Sequence, residues 1–169
     1  MNVLFVCLGN ICRSPTVEGV ARALAAREAP QLALQFDSAG TADYHIGHPP
    51  DARSVKSAMK RGYDLSTLRA RQLNADDFRR FDLLLAMDED NLAQMRQIAP
   101  RGLADRAQLF LDLAPHPDYR SVPDPYYGGA AGFDTVLDLA EHGVRGLFVA
   151  LAARKGAGGS GGRPHHAGP

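Results

Sequence analysis

At 169 residues, with 45% hydrophobic and 22% charged side chains, the chain has the length and composition of one globular domain with room for a core. Lys plus Arg and Asp plus Glu number 19 each, so the formal net charge is zero and no general field favours nucleic acid or a membrane surface. Two cysteines with neither Cys-x-x-Cys nor metal-ligand spacing argue against a disulfide scaffold or zinc site, and the absence of a leader or bilayer-length apolar run points to the cytoplasm.

Val3 to Val6 is a short, continuous apolar run of the kind that forms a buried strand in a parallel sheet. Gly9 and Asn10 break it, both tolerant of left-handed backbone, and Ser14-Pro15 signals a helix start. Val17, Val20, Ala21 and Leu24 give that helix an apolar face to about Ala26, and Pro30 ends the region. Leu32 to Ser38 alternates as an edge strand would, and 39–50 is a long Gly/Pro loop. Asp51 caps a helix carrying Val55, Ala58 and Met59, closed by Gly62. Asn74–Phe81 reads as a short helix, Asp82–Met87 as a second buried strand, and Asp88–Ala99 as a helix stopped by Pro100.

Ala107–Leu111 is the last expected strand, followed by a Pro-rich loop over 112–130. From Phe133 to Leu151 apolar residues keep helical spacing, although Gly143 and Gly146 weaken the helix. Residues 1–154 form the expected domain; the Gly/Ser/Pro-rich tail 155–169 cannot bury apolar surface and is expected to be disordered. Its His165-His166 pair reads as part of a solvated tail rather than as a metal site. Alternating strands and helices imply a three-layer α/β sandwich, with a parallel sheet covered on both faces and a site at the carboxyl ends of the strands.

That rule draws attention to Cys7-Leu8-Gly9-Asn10-Ile11-Cys12-Arg13-Ser14-Pro15, where the first strand gives way to the first helix. A small-residue loop at a helix N-terminus turns backbone N–H groups inward and makes an anion site. Arg13 brings a guanidinium whose planar fork matches phosphate bidentately. Cys7, among these donors, is expected to ionise at neutral pH and act as a nucleophile. The plainer alternative is a core cysteine beside a surface arginine. No Gly-Lys-Ser/Thr and no Gly-x-Gly-x-x-Gly occurs here, so neither nucleotide loop applies.

The nine-residue string closely resembles the phosphate loop of the low-molecular-weight protein tyrosine phosphatases, and the resemblance extends from Met1 to about Arg154. It implies a four-stranded parallel sheet of the flavodoxin-like, phosphotyrosine protein phosphatase I type. It also implies a protein-tyrosine phosphatase working through a phosphocysteine, without cofactor or metal. Ser121-Val122-Pro123-Asp124-Pro125-Tyr126-Tyr127 resembles the family's Asp-Pro-Tyr-Tyr loop, giving Asp124 the general-acid role. Catalysis is thus assigned to Cys7, Arg13 and Asp124. Substrate contacts are assigned to the loop residues Leu8, Gly9, Asn10, Ile11, Cys12 and Ser14, and to the aromatic walls Tyr44, Tyr126 and Tyr127. Asp88, in Met87-Asp88-Glu89, reads as a cap and structural acceptor. His45 and His48 lack the partners a zinc site needs.

One departure from the family stands out. Leu68 occupies the place where many members carry a His that supports Ser14, and Ser38 is the candidate replacement. Cys12 is expected either to trap an oxidised Cys7 as a local disulfide or simply to pack beneath the loop. Three other activities compete. Arsenate reduction on the same fold needs downstream cysteines, and none follow Cys12; phosphoarginine hydrolysis is typically served by Thr where this chain has Ile11. A non-catalytic phosphate-binding module would have no use for both Cys7 and Asp124. The expected partner is a phosphotyrosine protein, and for a bacterial family member an autophosphorylated tyrosine kinase.

Overall fold

The structure, a computed structural model, describes residues 1–156. Four strands, β1 (Asn2–Cys7), β2 (Gln35–Gly40), β3 (Leu83–Ala86) and β4 (Ala107–Leu109), form one parallel sheet in the order β2-β1-β3-β4. The helices are α1 (Arg13–Glu28), α2 (Ala52–Lys60), α3 (Asp77–Arg80), α4 (Glu89–Ile98) and α5 (Ala130–Ala167), the last being described as far as Gly156. This is the expected three-layer α/β architecture.

Alternation along β1 assigns the two faces. Val3, Phe5 and Cys7 point into a core shared with α1 and α5, including Val17, Leu24, Val136 and Leu147. Leu4 and Val6 point the other way, to Phe78 of α3 and Met95 of α4. β1 is therefore buried on both sides, which is why it reads as an unbroken apolar run rather than an alternating one. Strand order reverses between β1 and β3, and the crevice beyond their carboxyl ends is where such sheets hold ligands. Cys7 ends β1 at that crevice.

Several boundaries differ from expectation. β2 starts at Gln35 rather than Leu32, because Pro30–Leu32 form a 3-10 turn and Ala33 takes a left-handed φ of 51°. It is an edge strand, as the alternation implied. α1 begins at Arg13, ahead of the Ser-Pro signal, so Pro15 falls in the first turn, where a missing N–H costs nothing. β4 stops at Leu109, and a 3-10 turn over Phe110–Asp112 carries Phe110 into the core. At the expected domain boundary, Lys155 lies in α5 and donates to Gln31 O at 3.1 Å. The remainder of the expected tail, with its His pair, lies outside the described residues.

Gly143 and Gly146, which count against a helix by propensity, are accounted for by packing. A Cβ on Gly143 would overlap the Phe110 ring, and one on Gly146 would overlap the Ala114 Cβ. The two glycines let α5 approach the segment after β4. At an open helical site Gly→Ala stabilises by about 1 kcal/mol. Gly143→Ala should instead destabilise by roughly 1–3 kcal/mol through overpacking, read as a lower urea midpoint; a raised midpoint would show that α5 has room to spare.

Candidate active site

The loop between β1 and α1 curls because one residue takes a conformation that L side chains rarely adopt. Asn10 has φ 57°, and its side chain is fully engaged. Its amide donates to Ser14 Oγ at 2.8 Å and Ser38 Oγ at 2.9 Å, and its carbonyl oxygen accepts from Arg71 N at 3.0 Å. Asn10 is 2% exposed, so these bonds form away from competing water. Gly40, opposite, has no room for a side chain: a Cβ there would lie 2.7 Å from Leu8 O. The end of β2 thus presses directly against the loop.

Cys7 Sγ receives Asn10 N–H at 3.3 Å and lies 3.0 Å from Ser14 Oγ. The direction of the second bond follows from its neighbours. Ser14 already accepts from Asn10, which leaves its hydroxyl hydrogen free to face the sulfur. Behind this, Ser38 Oγ donates to Glu18 Oε1 at 2.6 Å, and the other Glu18 oxygen accepts from Arg22 Nε at 2.9 Å. Arg22 in turn donates to Phe36 O at 2.7 Å. Burial raises the Glu18 carboxyl, while Ser38 and Arg22 counter that rise. Ser38 therefore supports Ser14 indirectly, through Asn10, and is itself held by Glu18. Leu68 packs against the core instead.

Arg13 is 3% exposed. Its Nη1 donates to Asp88 Oδ2 at 2.6 Å and to Val122 O at 3.1 Å, while Nη2 lies 3.9 Å from Asp124 Oδ2. Although burial opposes its charge, the Cys7 sulfur, Asp88 and Asp124 raise the guanidinium overall. Asp88 also caps α4 through Asn91 N at 2.7 Å. The expectation of a cap is met, but the same carboxylate orients Arg13, so it is more than a structural acceptor. Val122 N bonds Met87 O at 2.8 Å, fastening the segment before Asp124 to the end of β3.

These groups meet in a cavity of about 320 Å³. Cys7, Leu8, Gly9, Ile11, Cys12 and Arg13 line its floor and sides, and Tyr44, His45, Asp124, Tyr126 and Tyr127 line its mouth. Asn10 and Ser14, expected to touch substrate, do not line the cavity; they lie buried beneath it as supports. His45 was missed as a wall. It sits where a Gly9 Cβ would come within 3.0 Å of its Cδ2, and its position beside Tyr44 was the available signal. Glu18 was also missed. Four residues beyond Ser14, it shares that residue's helix face, and an acid on an otherwise buried face could have disclosed it.

Cys12 is 5% exposed, and burial, reinforced by Asp51, pushes its thiol up to about 12. It is a neutral thiol at physiological pH. Among the described residues, no group of three or more His, Cys, Asp or Glu could hold a metal ion, and no helix is long and apolar enough to cross a membrane.

A cysteine sulfur that accepts a loop amide, a buried arginine and a carboxylate, all lining one cavity, fit a cysteine-dependent phosphoryl-transfer site. The family model for low molecular weight phosphotyrosine protein phosphatase matches residues 2–157. Bacillus subtilis YfkJ, a low molecular weight protein-tyrosine-phosphatase, is 36% identical over 155 residues, covering 92% of this chain and 98% of YfkJ; its crystal structure aligns with a TM-score of 0.85. A protein tyrosine phosphatase from Entamoeba histolytica aligns with a TM-score of 0.86 at 37% identity, over 92% of this chain and 99% of its own. Vibrio vulnificus Wzb, solved with benzylphosphonate, aligns with a TM-score of 0.75 at 28% identity, over 87% and 96%. The chain belongs to the low molecular weight phosphotyrosine protein phosphatase family.

Two predictions follow from this geometry. Asp88→Asn keeps an acceptor for the α4 cap but removes the negative charge that faces Arg13; since hydrogen bonds to charged groups contribute roughly 1.5–3 kcal/mol, kcat/KM should fall about tenfold or more. A fall in melting temperature with kcat/KM intact would return Asp88 to a purely structural role. The second concerns Cys12, whose folded pKa is raised. The unfolded chain releases this proton near the ordinary value of 9.0 while the folded chain holds it to about 12, so stability must decline across that window. Denaturation between pH 8 and 11 should show a shallower decline for Cys12→Ser than for wild type, and parallel curves would contradict it.

Proposed function

We propose that this protein hydrolyses phosphotyrosine in proteins through a phosphocysteine intermediate formed on Cys7. The observation that carries the reading is the convergence on one cavity of Cys7 Sγ, the Arg13 fork and Asp124, walled by Tyr44, Tyr126 and Tyr127. The Cys7 thiolate attacks phosphorus. The loop amides and the Arg13 Nη2 edge, which Asp88 leaves free, hold the equatorial oxygens as charge spreads over them. Asp124 gives its proton to the departing tyrosine oxygen. The resulting carboxylate then takes a proton from water, which attacks the phosphocysteine, releasing phosphate and restoring the thiolate and the acid.

The walls favour an aryl phosphate. Tyr126 and Tyr127 meet edge to face with centroids 5.0 Å apart, and Tyr44 is 68% exposed, its ring open to an incoming one. Benzylphosphonate, the ligand in the Wzb structure, joins a ring to a phosphonate as phosphotyrosine joins one to a phosphate. Ile11, on the cavity wall, has no hydroxyl for a guanidinium, which speaks against phosphoarginine. Arsenate reduction has no cysteine beyond Cys12 to continue a disulfide relay. The partner we propose, by family resemblance, is an autophosphorylated tyrosine kinase in the cytoplasm.

The test is leaving-group dependence. Cys7→Ser should abolish turnover in EDTA. Asp124→Asn preserves shape but cannot donate, so it should slow phosphotyrosine by about 10²–10⁴-fold and 4-nitrophenyl phosphate, whose phenolate leaves unaided, much less. Equal slowing of both substrates would remove Asp124 from the acid role.

A further inference from the structure

The segment carrying Asp124 is exposed at Asp124, Tyr126 and Tyr127, yet a proton donor must sit within hydrogen-bond reach of one oxygen. Its fixings are few. Val122 ties its start to β3, and Pro125 is buried against Gly132 at the beginning of α5, where a glycine Cβ would lie 3.3 Å from Pro125 Cβ. The carboxylate itself accepts from Tyr126 N at 3.0 Å, so the placement of Tyr126 sets that of Asp124.

Tyr126 is gripped from its other side by a residue outside the motifs. Arg53 Nη2 donates to Tyr126 O at 2.9 Å, and its guanidinium lies 5.4 Å from the Tyr126 ring centroid and 4.8 Å from that of buried Phe133. The guanidinium is not free to wander. Nε and Nη2 bond the two oxygens of Asp51 at 3.0 and 2.9 Å, and Asp51 also accepts from Arg53 N at 2.8 Å as the cap of α2. Asp51 N in turn donates to Ile11 O at 2.8 Å, within the phosphate loop. A continuous strut therefore runs from Ile11 through Asp51 and Arg53 to Tyr126 and the Asp124 carboxylate.

We infer that Arg53 is a positioning residue for the general acid: braced by Asp51 against the phosphate loop, it holds Tyr126 so that Asp124 stands at a fixed height above Cys7. This rests on the phosphatase reading above. An exposed ion pair adds little to stability by itself, so a purely structural Arg53 would be nearly dispensable. As a strut it matters through geometry, where displacement of about 1 Å can cost on the order of a hundredfold in rate. A planar fork can satisfy Asp51 and Tyr126 O together; an ammonium cannot match both in plane.

The experiment measures kcat/KM, which reports transfer to Cys7, for 4-nitrophenyl phosphate, phenyl phosphate and phosphotyrosine, using wild type, Arg53→Met, Arg53→Lys and Asp124→Asn. Arg53→Met keeps an apolar stem over Phe133 and removes the fork. It should lose about tenfold on phenyl phosphate and phosphotyrosine but stay within about twofold on 4-nitrophenyl phosphate. Arg53→Lys, which disturbs packing least, should fall between Arg53→Met and wild type. Combined with Asp124→Asn, Arg53→Met should add almost nothing, because the group it positions has already lost its proton. Equal loss on all substrates, no loss on any, or full additivity with Asp124→Asn would each overturn the assignment. Wild type inert towards all three substrates would instead sink the phosphatase reading itself.

Discussion

The site depends on one unfavourable piece of backbone. To bring the Asn10 N–H onto the Cys7 sulfur at the end of β1, the chain places Asn10 in the left-handed region, a strain of roughly 1–3 kcal/mol for a residue other than glycine. What holds the turn is a buried polar chain from Arg71 N and Ser38 through the Asn10 amide to Ser14 and the Cys7 sulfur. Each member has its donors and acceptors matched, and in a dry interior a partial set would cost more than an apolar filling. The arrangement therefore resists partial loss: removing Ser38 or Glu18 would leave buried polar atoms unsatisfied a few bonds from the nucleophile.

Around that turn two carboxylates divide the work of handling Arg13. Asp88 binds one guanidinium nitrogen at 2.6 Å, while Asp124 stays 3.9 Å from the other. The unequal spacing leaves one edge of the fork open, as the proposed oxyanion contact requires, and keeps the Asp124 carboxyl clear of Arg13, as the proposed acid role requires. Both carboxylates lie beyond the end of β3, Asp88 directly and Asp124 through the Val122–Met87 bond. The switch point of the sheet thus supplies Cys7, the proposed nucleophile, from one strand and the means of orienting Arg13 from the next.

Much of this was legible in the sequence because the signals are local. An apolar run, a small-residue loop and a Ser-Pro start lie within fifteen residues and identify β1, the anion loop and α1; two prolines frame Asp124 equally locally. The illegible parts join residues far apart in the chain. Arg53 reaches Tyr126 across 73 positions and Arg13 reaches Asp88 across 75, and no periodicity encodes such pairs. Glu18 and the α5 glycines were hidden for another reason. Propensity treats a helical acid as solvated and a helical glycine as a weakness, whereas tertiary packing against Ser38 and Phe110 reverses both readings.

The cover of β1 has a consequence for how the chain reaches this state. Phe5 and Cys7 belong to a core completed by Val136, Leu137, Val144 and Leu147 of α5, while the opposite face of β1 needs only α3 and α4. β1 lies far ahead of α5 in the chain, so the strand is made well before the last of its cover. Val17, Val20 and Leu24 of α1 cover part of the face that carries Phe5 and Cys7 early; further cover comes from α5, through contacts that span most of the described residues. Such non-local closure is slow. Docking of α5 therefore governs how soon Phe5 and Cys7 are fully enclosed.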